Sequence, residues 1–154
     1  MKLLNNFLAI GLLVVSAGVS AESVEAEKPV EIVVYRSPTC GCCEKWLAHL
    51  KQNNFAVKDN VTNDMQAIKN KYGVPAEMAS CHTAIVNGYV VEGHVPANDI
   101  KSLLKSKPDI VGIAVPGMPS GTPGMDMGGK KEPYKVIGFD KNNHNQIFNS
   151  YNGD

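Results

Sequence analysis

Residues 30–35, Val-Glu-Ile-Val-Val-Tyr, are almost continuously apolar and β-branched, the pattern of a central strand covered on both faces. Apolar positions then recur at Cys43, Trp46, Leu47 and Leu50, the spacing of one helical face, which predicts a helix from about Cys42 to Asn53. Trp46 lies on that stripe and is expected in the core, whereas His49 falls on the polar face and is expected in solvent. Residues 55–59 alternate as a second strand. Thr62-Asn63-Asp64 offers capping chemistry for a second helix, with Met65, Ile68 and Tyr72 facing inward, Gly73 closing it and Pro75 preventing its resumption. Two apolar runs, 83–86 and 89–92, flank Asn87-Gly88, the strongest short signal for a hairpin. A third helix enters at Pro96 and stops at Pro108, with Ile100, Leu103 and Leu104 inward. Residues 134–139 and 146–151 form a last pair of strands about a polar turn in which His144 is expected to be solvated.

The order is therefore β, α, β, α, β, β, α and a terminal hairpin, which places the chain in the α/β class. Strands joined through a helix must be parallel, and a hairpin adds an antiparallel edge. Residues 7–15 are an apolar run preceded by Lys2 and followed by Val19-Ser20-Ala21. That is the plan of a secretory signal peptide over residues 1–21 cut after Ala21, and with Asn5-Asn6 before it the run falls short of the roughly 20 apolar residues that cross a bilayer. The expected organisation continues with a disordered leader (22–29), the main domain (30–107), a Gly/Pro/Met-rich loop (108–133) and the hairpin extension packed on the same domain (134–154).

The charge balance excludes some partners. The chain carries 15 basic and 15 acidic residues, and loss of Lys2 with the leader changes this by one, so neither nucleic acid nor, after cleavage, a membrane is expected to bind. No phosphate-binding glycine loop, serine-nucleophile motif or catalytic carboxylate pair occurs, which leaves hydrolase and nucleotide-binding readings unsupported. A mature chain of this length buries a core without disulfides. Its four cysteines are thus as well explained by chemistry as by stapling.

Three of those cysteines stand in Cys40-Gly41-Cys42-Cys43, where the first strand turns into the first helix. The free N–H groups and positive dipole end of a helix start favour the thiolate, the form that attacks and ligates. The order of elements over residues 30–107 and the C-x-x-C spacing of Cys40 and Cys43 resemble the thioredoxin and glutaredoxin fold. In such chains a cis-proline opens the third strand, six residues before the hairpin glycine. Six residues before Gly88 stands His82, preceded by Cys81, so a cis peptide is not expected there. If the register holds, Cys81 and His82 lie beside Cys40, Cys42 and Cys43 in one pocket.

Four soft sulfur donors and one imidazole select thiophilic metals, Cu(I) first and Zn(II) second. Three donors packed so tightly do not suit one tetrahedral zinc, whereas thiolates bridging more than one ion suit Cu(I). A dithiol oxidoreductase needs only two cysteines, which makes Cys40 as attacking thiolate and Cys43 as resolver the competing catalytic reading. The glycine- and proline-rich stretch 115–129 carries Met118, Met125 and Met127, thioethers that either capture copper or fill gaps in packing. Met78 is a further thioether candidate, and His94, ahead of the third helix, is read as structural.

Taken together, Pro38-Thr39-Cys40-Gly41-Cys42-Cys43, Ser80-Cys81-His82-Thr83-Ala84, residues 91–97 (Val-Glu-Gly-His-Val-Pro-Ala) and residues 115–119 (Val-Pro-Gly-Met-Pro) resemble the CopG-like periplasmic copper proteins of Gram-negative bacteria. That resemblance implies a thioredoxin-like fold, a place in copper resistance, copper ions held by Cys40, Cys42, Cys43, Cys81 and His82, redox interconversion between Cu(I) and Cu(II), and other periplasmic copper-handling proteins as partners.

Overall fold

The computed structural model describes residues 28–126 and 128–154; the signal peptide expected over residues 1–21, the expected leader up to residue 27 and Met127 lie outside them. The first strand, β1 (Val30–Arg36), leads through α1 (Gly41–Gln52) to β2 (Phe55–Val61), which runs parallel to it. The short α2 (Met65–Lys71) and a single 3-10 turn (Ala76–Met78) bring the chain back to β3 (His82–Val86), antiparallel to β1 with His82 opposite Arg36. The hairpin from β3 to β4 (Tyr89–Glu92) turns on Asn87 and Gly88, both at positive φ (46° and 86°), as a two-residue hairpin turn requires. After α3 (Ala97–Ser106) come β5 (Gly112–Ala114), β6 (Tyr134–Phe139) and β7 (Asn145–Tyr151). All seven strands form one mixed sheet in the order β2-β1-β3-β4-β5-β6-β7, the α/β architecture expected from the sequence.

Helices α1 and α3 cover one face of this sheet, burying Trp46, Leu50, Ile100 and Leu103 against Ile32 and Ile113. A smaller cluster on Met78, Val90, Ala114 and Phe139, with Tyr72 packed against it, covers the other. Met78, a candidate thioether ligand by sequence, is thus a core residue, 6% exposed. β1 is less enclosed than its composition implies, because only alternate residues, Ile32, Val34 and Arg36, are buried.

Three local expectations need correction. The segment 108–133, expected to be loop throughout, contains β5, which pairs parallel with β4 and antiparallel with β6; it is the rung that ties the terminal hairpin to the sheet. Met65 is only half-buried, and the residue α2 buries is Lys69, 6% exposed. His49 is half-buried, and its Nε2 accepts the Ala97 amide at 3.0 Å. It thereby caps α3, whose own N-cap, Pro96, has no side chain able to do so.

Candidate metal centre

β1 ends at Arg36, and a turn delivers Cys40 to the N-cap of α1, where no side chain caps the helix. Cys40 and Cys43 are one helical turn apart and joined as a disulfide, Cα–Cα 5.4 Å. Cys42 and Cys81 are free and half-buried. Cys40 Sγ lies 3.5 Å from Cys42 Sγ, and one sulfur from each of the four cysteines falls within 4.8 Å of every other. The register counted back from Gly88 therefore holds, since Cys81, at the start of β3, meets the cysteine turn of α1.

Cys81 also belongs to a second donor group with His82 and His94, whose ligand atoms again lie within 4.8 Å of one another. Its Sγ stands 3.3 Å from His82 Nδ1 and 3.4 Å from His94 Nε2. The His94 tautomer follows from its other nitrogen. Nδ1 is 2.8 Å from the Pro123 carbonyl, which can only accept, so Nδ1 carries the proton and Nε2 turns a lone pair towards Cys81. This is how a carbonyl outside the ligand set orients an imidazole for a metal.

The His82 ring is fully buried between Trp46 and His94, with centroids 4.2 and 5.0 Å away. Trp46 is itself fixed by its Nε1–H, donated to the Val95 carbonyl at 2.8 Å. His82 Nε2 has no hydrogen-bond partner and is the only such buried side-chain nitrogen or oxygen among the described residues. An unpaired buried nitrogen is costly, and its place here suits a site that takes a further ligand. The environment keeps both imidazoles neutral: burial lowers the pKa of His94, and burial followed by the nearness of His94 lowers that of His82 well below its ordinary value. Burial, reinforced by Cys42, pushes the Cys81 thiol up to about 11. It is therefore protonated at neutral pH and must give up that proton to ligate an ion.

The Met-bearing loop lies against this centre. A Cβ at Gly124 would meet Trp46 N at 2.8 Å and the Cys42 carbonyl at 3.1 Å, so the bare backbone of residue 124 packs on the first turn of α1. Met125 follows directly, half-buried, with its amide donated to Thr122 O at 2.8 Å. Met118 is 40% exposed at φ 49°, and His144 is exposed at its turn, 3.0 Å from Asp140.

The structure thus brings together Cys40, Cys42, Cys43, Cys81 and His82, and adds His94, which from the sequence alone is expected to be structural. The signal was available in the hairpin. Thr83 pairs with Glu92, and extending that register by two positions sets Cys81 opposite His94. Also unforeseen was a buried polar group beneath the same turn. Glu92, fully buried, accepts from Lys69 Nζ (2.5 Å), the Ser80 amide (2.5 Å) and Thr83 Oγ1 (2.7 Å).

Among known proteins, the chain is similar to two solved forms of copper resistance protein CopG. To one it is 46% identical with a TM-score of 0.77, covering 80% of this chain and 99% of the other. To the second form it is 47% identical, again with a TM-score of 0.77, covering 82% of this chain and all of the other. A family model described as a protein of unknown function, DUF411, matches residues 78–125, the span from Met78 through Cys81, His82 and His94 to Met125. No curated protein matches the chain.

Proposed function

The chain belongs to the family of the CopG copper resistance proteins, and from that premise we propose that it is a periplasmic protein that binds copper as Cu(I), through Cys40, Cys42, Cys43, Cys81 and His82 with His94 as a further ligand, in copper resistance. The observation that carries this reading is the position of Cys81. Its sulfur is shared between a group of four sulfurs and a group holding two imidazoles. Soft sulfur with borderline nitrogen is the donor set that prefers copper among abundant exported metals, with zinc as the competitor. Joined as a disulfide, Cys40 and Cys43 are poor donors, and two electrons and two protons convert them to the dithiol that completes the set. Oxidation of that dithiol back to the disulfide releases two electrons and two protons and would reduce two Cu(II) ions to two Cu(I), which balances the interconversion. Gly124 seats the Met125 segment on α1, and thioethers of Met118 and Met125 serve copper capture there, with Met127, outside the described residues, as a third candidate from sequence alone. Export through the N-terminal apolar segment puts the protein where copper-handling partners would deliver to it.

A second reading has its own support. The disulfide joins the C-x-x-C pair itself, the pair that a thiol–disulfide oxidoreductase would use. Copper analysis of anaerobically reduced protein, with thiols counted in the same sample, separates the two. Copper binding predicts at least about one ion per chain with protected thiols, falling sharply when Cys42 and Cys81 are both replaced by serine. Unchanged metal content in that double variant, with intact dithiol turnover, would favour the oxidoreductase.

A further inference from the structure

The turn carrying Cys81 and His82 has no proline ring to fix its backbone, because position 82 is histidine. What holds it is the last residue of β4. Glu92 is fully buried, and its Oε1 accepts the Ser80 amide on the N-terminal side of the dipeptide while its Oε2 accepts Thr83 Oγ1 on the C-terminal side. Lys69 reaches in from α2 to both, 2.5 Å from Glu92 Oε1 and 3.0 Å from Thr83 Oγ1. The next two residues close on the same turn. The Gly93 amide donates to the His82 carbonyl at 3.2 Å, and His94 Nε2 meets Cys81 Sγ. Three consecutive residues therefore grip the dipeptide through carboxylate, backbone and imidazole.

A buried ion pair is a weak way to stabilise a fold, since desolvating both charges offsets most of their attraction and an apolar pair of similar volume often does as well. A carboxylate that holds both neighbours of one dipeptide, by the Ser80 amide on one side and the Thr83 hydroxyl on the other, does something an apolar pair cannot. We propose that Glu92, oriented by Lys69 and Thr83, is a positioning residue for the metal centre, setting where Cys81 Sγ stands relative to Cys42 and His94. This rests on the copper-binding reading and extends it to residues that touch no metal. Partners outside the ligand set commonly govern metal affinity by about 10- to 100-fold.

The test compares wild type, Glu92→Gln and Thr83→Val as full mature chains, reduced anaerobically and titrated with Cu(I) against a chromophoric chelator. Thermal melts and the sulfur-to-copper charge-transfer band are recorded on the same samples. Glu92→Gln should weaken Cu(I) binding by about 10- to 100-fold and shift the band while circular dichroism shows a folded protein. Thr83→Val, which keeps the ion pair and volume but removes the hydroxyl that aims the carboxylate, should move both readouts the same way by less, and it supplies the test if Glu92→Gln does not fold. Melting temperatures lowered with affinity and band unchanged would make the group merely structural and overturn the inference alone. A wild type that takes up no copper would overturn the binding reading and this inference with it.

Discussion

Gly93 stands at φ 74° between the two side chains that hold the Cys81 turn, and a Cβ there would lie 2.8 Å from both Ser80 Oγ and the Val115 carbonyl. The hydroxyl could rotate away, but the carbonyl is backbone and cannot. Gly93→Ala therefore combines a left-handed conformation with an unavoidable clash. It should cost about 1–3 kcal/mol, read as a lower urea midpoint with an unchanged slope, and an unaltered midpoint would mean that the turn yields more easily than its packing implies. Single residues also show what was legible in the sequence. Cys40, Cys42 and Cys43 announce themselves by adjacency, and Cys81 and His82 by their distance from Gly88. His94 was within reach of the same register once it was carried across the hairpin. Lys69 was not: nothing local marks a lysine as buried, and its reason for burial, Glu92, lies 23 residues away.

At the scale of elements, β6 and β7 are legible in the sequence as two runs about the polar turn 140–145, but β5 is not. It has three residues, Gly-Ile-Ala, too few for any period to show. It is recognised as a strand only by what pairs with it on either side, and Gly112 is needed there because a Cβ would meet Val90 O at 2.1 Å. The hairpin is held at its far end by a different element. Asp99, 3% exposed in the first turn of α3, accepts Tyr151 OH on Oδ2 and Asn149 Nδ2 on Oδ1, each at 2.7 Å. Burial, with Asp99 as acceptor, also raises the Tyr151 pKa, so the phenol stays a donor throughout the neutral range. Asp99→Ala strands both donors in a partly buried latch and should destabilise by about 1–3 kcal/mol in denaturant unfolding. Because Tyr151 sits on the edge strand β7 and Cys81 immediately precedes β3, with β4, β5 and β6 between the two strands, copper per chain should remain at the wild-type value. A fall in copper together with stability would show that the hairpin and the metal centre are coupled.

Over the whole molecule, three histidines are folded away as neutral rings. Desolvation lowers the pKa of His49, His82 and His94 alike, and each neutral form has a duty: one caps α3, and two face Cys81. In the unfolded chain all three titrate near 6.5. Below that value the unfolded state therefore binds more protons than the native state, stability rises with pH, and it is lost progressively as the pH falls from about 6.5 towards the depressed native values. Each fully buried histidine adds at most about 1.4 kcal/mol per pH unit to that slope. The metal-free protein should accordingly melt at steadily lower temperature between about pH 6.5 and 5, before most carboxylates begin to titrate. Replacing His49 with glutamine, which keeps an acceptor for the Ala97 amide but does not charge, should make the slope shallower. Loading with Cu(I) should flatten it further, since an imidazole engaged with an ion resists protonation and any ion bound to the native state alone adds to its stability. A melting temperature that is level across this range in the metal-free protein would mean that His82 and His94 accept protons in place, and that the pocket is more open to water than its burial implies.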